Sequence, residues 1–559
     1  MRKGESQLSV LHHHFFRRFF DNDTLSLEAE TETAVIRALC LCAVPSLMVA
    51  FWLLPSYPNR AVWAVVADRY FFVLYSFVVM GAVATFEWEM LFPDRADFLI
   101  LLPLPLRPRE LFYAKGRALL TFLGLFLVAS NLFAAILFPA ESTRGRVNLF
   151  PSVWAHFAAV SLAGIFAAMT MLAVAGILIC ALPGRWFRLV SSVAQSLSIM
   201  VLLLLFLLFP LFGSHVRMLL ETSAGFSRWI PPLWFLGLYE RLIMKDAAPA
   251  GCEVLAAIGL YATAIVSVIA IAVYPVAWSR QKKRALEGSS QARGKERSYV
   301  AEVLHRTLLR RPQQRAIFHF IGQTIARNAR YQVFLAIYAG IGLALALCSI
   351  VTLKVGAGGR LLPALSKPGL HAVLPLLLFW VVVGLKAAFA FPVDMAARWV
   401  FPINLPYPGL DAKAAKTWVL LCCGFITVAV LVLLISLGWR GAELEIQGLW
   451  GAGLSLVLAD LFFVGRTQIP FTKPRMPGRA SLPIIFTLYA ALFPALVLMS
   501  VQMEMSAEKR LVQVVWILIA IVGLHGILRA LDVLAQRGII GGFPEDEEDE
   551  GPTVLGLFQ

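Results

Sequence analysis

The chain has 559 residues, of which 59% are hydrophobic and only 15% charged, and its formal net charge is +15. A soluble domain is about 45–50% apolar and about 25% charged, so the composition argues against a water-soluble fold. The basic residues lie mostly in short segments between apolar blocks, a pattern of topology signals and contact with anionic headgroups rather than of nucleic-acid binding.

The mean hydropathy is +0.76, and the apolar excess comes in blocks of about 20 residues, the length a helix needs to cross a hydrocarbon core ~30 Å thick. The chain opens on LSVLHHHFFRRFFDN, Leu8 to Asn22, whose aromatic and basic residues predict a helix lying at the cytoplasmic interface. His12, His13 and His14 are consecutive, point about 100° apart on a helix, and so do not converge on one metal ion. No small-residue cleavage site closely follows the first apolar block, which is expected to remain as a span. About twelve spans are expected, at approximately 34–55, 65–87, 117–139, 154–182, 189–213 and 253–278, then 331–353, 371–393, 416–438, 448–465, 483–503 and 511–531. The fold class is therefore all-α, a polytopic membrane protein of two parallel six-helix halves. The second span carries Asp68 and Arg69 near its start, and the tenth is short and holds Asp460.

Four regions follow. Residues 1–278 form a first half with its N-terminal interfacial helix, and 279–314 a basic cytoplasmic linker containing RQKKRALEGSSQARGKER. Residues 315–535 form a second half, opening on the amphipathic stretch Arg315 to Phe334, and 536–559 an acidic tail with PEDEEDEGP from Pro544. Loops on the linker side hold the larger share of lysine and arginine, which places both termini in the cytoplasm and the chain in the cell (plasma or inner) membrane. An even number of spans per half makes the halves parallel, related by an axis along the membrane normal if they are duplicated. The first half has Leu91-Phe92-Pro93, Leu102-Pro103-Leu104-Pro105 and Ala114-Lys115; the second has Val400-Phe401-Pro402, Leu405-Pro406-Tyr407-Pro408 and Ala415-Lys416. Each set falls between the second and third spans of its half, although proline and lysine are common at membrane boundaries in any case.

Candidate chemistry is sparse. The stretch Gly288 to Glu296 has one residue too many between its glycines for a P-loop, and Glu296 stands where Ser or Thr would bind Mg²⁺. ATP hydrolysis on this chain is not expected, nor is a cofactor. The seven cysteines lie in or at the edge of apolar blocks, with neither a disulfide framework nor metal-ligand spacing. Of the charges inside spans, Lys386 and Asp460 are the two expected to face other helices.

The loop from Glu87 to Arg117, EWEMLFPDRADFLILLPLPLRPRELFYAKGR, is the most informative segment. Its four prolines break any long helix and predict a short one over 94–102 and another from near Arg109. An apolar centre, Phe98 to Leu106, edged with charge points to a docking surface for a partner, or else to an interfacial segment packed on the membrane. With an interfacial helix, two spans, this LP-rich charged loop, Ala114-Lys115 and four more spans, the chain resembles the permease subunit of type-2 ATP-binding-cassette (ABC) exporters. The resemblance implies that Phe92 to Leu102, including Pro93, Asp94, Arg95 and Asp97, is the coupling region that sits on a separate cytoplasmic ABC ATPase. Met395 to Leu405, with Arg398 and Pro402, would be its second-half counterpart, and ATP would bind to the partner. It also implies an amphipathic re-entrant helix within RWIPPLWFLGLYERL, Arg228 to Leu242. The usual permease of that family has six spans and dimerises, whereas this chain holds both halves, and its second-half loop is shorter and less charged. The alternative is an autonomous twelve-span secondary transporter driven by an ion gradient, against which Pro93-Asp94-Arg95 lacks the flanking glycines of the major facilitator signature. A lipid-acting membrane enzyme would need clustered acids, histidines or nucleophiles, which the sequence does not display.

Overall fold

A computed structural model of the protein describes residues 7–19, 31–88, 90–92, 95–101, 103–143, 149–221, 227–287, 309, 311–355, 361–390, 410–463, 470–471, 482–507 and 511–536. Among them are 11 helices long and apolar enough to cross a membrane, so the chain is an all-α, multi-pass membrane protein. By internal contacts it separates into two compact units, Met1–Arg293 with Leu353–Leu362, and Gly294–Thr352 with Pro363–Gln559.

The first unit begins with α1 (Gln7–Arg18) and α2 (Thr31–Leu53), which ends in a 3₁₀ turn at Leu54–Asn59. Next come α3 (Val62–Phe86), the short α4 (Arg95–Leu101), α5 (Pro108–Thr143) and α6 (Leu149–Ala181). Then follow α7 (Gly184–Leu207), the short α8 (Phe209–Gly213) and α9 (Val216–Glu221), α10 (Pro231–Met244) and α11 (Ala250–Glu287). The centre of this unit is α6. Its Ala155, Ala159, Ala163 and Ala167 recur at every fourth position and are all fully buried. In hydrocarbon, helices gain nothing from hiding apolar surface from one another, and small residues that admit close backbones supply the packing instead. Polar side chains reinforce it: Ser76 Oγ on α3 donates to the Val160 carbonyl of α6 at 2.7 Å and accepts from Asn131 Nδ2 of α5 at 3.0 Å.

In the second unit, α12 (Pro312–Arg327) precedes α13 (Ala329–Ile350). Next in the chain is a two-stranded ribbon, β1 (Val351–Val355) with β2 (Leu361–Leu365), whose residues from Leu353 to Leu362 group with the first unit, and then α14 (Lys367–Phe389). The remainder is α15 (Leu410–Ser436), α16 (Ala442–Phe463), α17 (Leu482–Ala507) and α18 (Leu511–Gln536). The buried axis here is α14, whose Phe379 packs on Phe462 of α16 and Phe493 of α17 at ring distances of 5.9 and 5.0 Å. Gly384 lets α14 approach α13, since a Cβ there would lie 2.7 Å from the Tyr338 Cβ.

Several expected boundaries shift, each for a local reason. The seventh span ends at Ile350, not 353, because Val351-Thr352 begins a strand; β-branched residues before a glycine run favour a ribbon. The fifth span, expected to 213, breaks at Leu208 ahead of Pro210, whose ring cannot continue the helix. The stretch 315–334 is two elements, separated where Asn328 turns to an extended conformation. The sixth span, expected to 278, continues as helix to Glu287 through QKKRALE, all good helix formers, into the stretch expected as linker. The acidic tail from 537 and the rest of the linker, 288–308, lie outside the described residues.

The joint between β2 and α14 is the tightest in the second unit. Ser366 caps α14, its hydroxyl accepting from the Gly369 amide at 3.3 Å, and a Cβ on Gly369 would stand 1.9 Å from the Ser349 carbonyl oxygen. Backbone cannot yield as a side chain does, so Gly369→Ala is expected to cost at least about 1–3 kcal/mol. The thermal midpoint of the purified chain should fall by several degrees, whereas Gly424→Ala on α15, where a Cβ meets nothing within 4 Å, should leave it unchanged or raised.

Candidate functional site

The loop between α3 and α5 is built from both ends. Glu87 caps α3, and the amides of Met90 and Leu91 return to its carbonyl at 2.8 and 3.0 Å, so the chain turns at once. Leu91 and Phe92 are buried, with Phe92 stacked on Tyr274 of α11 at 5.0 Å. After this turn α4 lays Phe98 edge-on against Trp278 of α11 at 5.7 Å. Asp97, 2% exposed, pairs with Arg18 at the end of α1. The prolines at 103, 105 and 108 then end α4 and launch α5, where proline at the first helical position gives up only an amide the helix does not use.

The brace on the other side is α1. Leu11, Phe15 and Phe19 are buried, and Phe19 stacks on Phe122 of α5 at 4.7 Å. Lys115 of α5 is fully buried, its Nζ over the rings of Phe15 and Phe19 at 5.0 and 4.7 Å. Such an ammonium is held by ring quadrupoles. The expected helix 94–102 is thus present as α4, clamped between α1 and α11.

What the loop leaves outside is amphipathic. Ile100 is 66% exposed, Leu104 48% and Tyr113 63%, and Arg107 and Arg109 are exposed beside them. Of the residues expected to couple, Arg95 is the first of α4 and Asp97 faces inward as a brace. Pro93, Asp94, Arg398 and Pro402 lie outside the described residues.

The intramembrane candidates take different roles. Lys386, in the last turn of α14, is half-buried with its Nζ over the Phe462 ring at 5.7 Å. Asp460 of α16 is 4% exposed and forms the centre of a charged cluster. Lys416 Nζ lies 3.4 Å from one of its carboxylate oxygens and His525 Nδ1 2.5 Å from the other, while Lys416 also reaches Asp532 at 2.8 Å. The Ala-Lys pair noted in both halves therefore sets a lysine in the first part of the third long helix of each unit. In one unit it is buried under phenylalanines, in the other it joins two carboxylates.

Sequence reading missed a second kind of site at the opposite end of each unit. In the first, Arg69 of α3 meets both carboxylate oxygens of Glu240 on α10 at 2.9 Å and lies 5.3 Å from the Tyr239 ring centre. Tyr239 hydrogen-bonds His156 of α6 at 3.0 Å, and neighbouring Asp68 accepts from Tyr57 and Arg60. In the second, His371 of α14 lies 3.1 Å from Glu504 of α17, with Trp439 packed on its ring. Asp68 and Arg69 were visible as charges near the start of a span; Asp68 is met locally by Tyr57 and Arg60, but nothing local pointed to the partner of Arg69, 171 positions away. Among the described residues no group of three or more His, Cys, Asp or Glu is placed to hold a metal ion.

No protein-family model matches the chain, and neither does any curated protein or solved structure.

Truncating one member of a buried ion pair leaves the other uncompensated, at about 3–5 kcal/mol, whereas an exposed pair contributes at most about 1 kcal/mol. Glu240→Ala is therefore expected to lower the thermal midpoint of the detergent-solubilised chain sharply. Glu221→Ala, which removes the half-exposed partner of Arg217 at 2.8 Å, should leave it nearly unchanged. Equal shifts for the two variants would refute the ranking.

Proposed function

We propose that this protein is the membrane-spanning subunit of an ABC-type exporter. On this reading its two six-span halves form the translocation path in the cell (plasma or inner) membrane, with both termini cytoplasmic. A separate ABC ATPase docks on the cytoplasmic loops and hydrolyses the ATP. One observation carries the reading: α4 is a short helix between the spans α3 and α5, held to α1 by Asp97–Arg18 and to the span α11 by Phe98–Trp278, with Ile100 exposed. An interfacial segment that merely rested on lipid would need no such brace. A helix that takes up force from a moving partner must be fixed to the spans it moves, and the exposed Ile100 and Leu104, flanked by arginines, suit a partner groove with an acidic rim. Asp97 acts in this reading as a positioning residue, with Pro93, Asp94 and Arg95 at the contact and Arg398 and Pro402 in the second-half loop.

A second reading, an autonomous carrier driven by an ion gradient, is favoured by the cluster of Lys416, Asp460, His525 and Asp532. Ionisable groups gathered within membrane helices commonly mark ion or proton sites.

Purification in mild detergent from the native membrane separates the two. The exporter reading expects a stoichiometric P-loop ATPase, lost at least ten-fold from an Ile100→Asp, Leu104→Asp variant or from charge reversal at Asp94 and Arg95, with the yield of the chain unchanged. Recovery of the chain alone, together with ion-driven transport abolished by Asp460→Asn, would replace it with the second.

A further inference from the structure

The second unit contains an apolar cavity of about 490 Å³ between α12, α13, α14 and α15. Its roof is α12, tied down where Trp418 Nε1 of α15 donates to the Phe318 carbonyl at 3.2 Å, so that the indole meets its one polar need and turns an apolar face inward. Its floor is the close approach of α13 and α14 at Gly384. One wall, on α15, faces away from the protein: Phe425 is 77% exposed and Leu421 38%. An opening with such a rim in a membrane protein gives onto hydrocarbon, not water.

We infer that this cavity binds one acyl chain of an anionic phospholipid from the leaflet in which α12 lies. Three observations select that occupant. The size is right, since an apolar space of about 490 Å³ has room for an acyl chain. The position is right, since α12 is an amphipathic helix of the interfacial type and the cavity lies directly beneath it. The charge is right as well: the four helices hold a single acidic residue, Asp411, against Arg315, Arg327, Arg330, Lys386 and Lys413 near that end, while Lys416 is already paired with Asp460 and Asp532 of α16 and α18. Of these, Arg327 and Lys413 are exposed, on the two helices that carry Phe318 and Trp418. Basic residues at a membrane surface favour anionic lipid over zwitterionic lipid. The inference goes beyond the transport reading and is independent of it, because it requires neither an ATPase nor a transported substrate.

The test uses the full chain in nanodiscs of phosphatidylcholine doped with phosphatidylglycerol carrying a diazirine on its acyl chain, with the labelled residues mapped by mass spectrometry after illumination. The expected result is labelling around Ala339 and Cys422 at least five-fold above that on α18, where Val515, Trp516 and Ile519 provide an ordinary exposed apolar face. The same diazirine on phosphatidylcholine should label the cavity several-fold less, and Arg327→Glu with Lys413→Glu should erase that difference. Ala339→Phe, which fills the space, should cut the cavity labelling at least five-fold and leave α18 unchanged; Cys422→Phe serves if that variant does not fold. Cavity labelling no stronger than on α18, or undiminished in a folded filled variant, overturns the site. Equal labelling by the two lipids, or displacement of label by a co-purifying protein, overturns the assigned occupant.

Discussion

A helix in hydrocarbon satisfies its own backbone but does nothing for a charged side chain it carries, and on that constraint the arrangement of this protein rests. Four buried ionisable side chains of its apolar helices are answered from another element. Arg69 of α3 is met by α10, Lys115 of α5 by the rings of α1, Asp460 of α16 by α15 and α18, and His371 of α14 by α17. Each answer fixes a depth and a rotation as well as a neighbour. Apolar side chains alone would tolerate sliding, because lipid tails solvate leucine as well as leucine does; a buried ion pair does not.

The loop after α3 uses the same device to different effect. Its sequence contains enough proline to prevent a long helix and enough apolar residues to resist solution, and the conflict resolves as one short helix anchored at two points. The inward residues, Asp97 and Phe98, are adjacent in sequence and engage two separate elements, α1 and α11. Rotation of α4 about its own axis would break both contacts at once, so the outward edge at Ile100 and Leu104 is presented in one orientation.

Much of this was legible in the sequence where the signal is local. Block length gave eleven of the twelve expected spans as long apolar helices among the described residues, proline spacing gave α4 within about one residue at each end, and the repeated Ala-Lys marked two lysines that prove to be held inside the protein. Asp460 stood out because a carboxylate in an apolar run is costly. What could not be read was who answers whom: Arg69 and Glu240 are 171 positions apart, His371 and Glu504 133, Lys416 and Asp532 116. Pairing at that range is a property of helix packing and leaves no trace in periodicity. The ribbon at Val351 was missed for the opposite reason, since its first strand continues the apolar character of α13 and only its β-branched Val351, Thr352 and Val355 set it apart.

The length of α11 has a mechanical consequence. Its 38 residues make a rod of ~57 Å, whereas the bilayer measures about 40–45 Å with its headgroups. The rod begins directly after the turn at Lys245–Ala247 and bends only as far as Pro275 allows. Some 12–17 Å of it must then tilt or emerge, and the residues at that end, QKKRALE, are those of a helix in water. Arg284 there caps the last carbonyls of α6, at Ile179 and Leu182, so the emergent length is welded to a second span instead of standing alone. The C-terminal end of α11 is therefore a fixed point, its position set by α6 and not by the lipid.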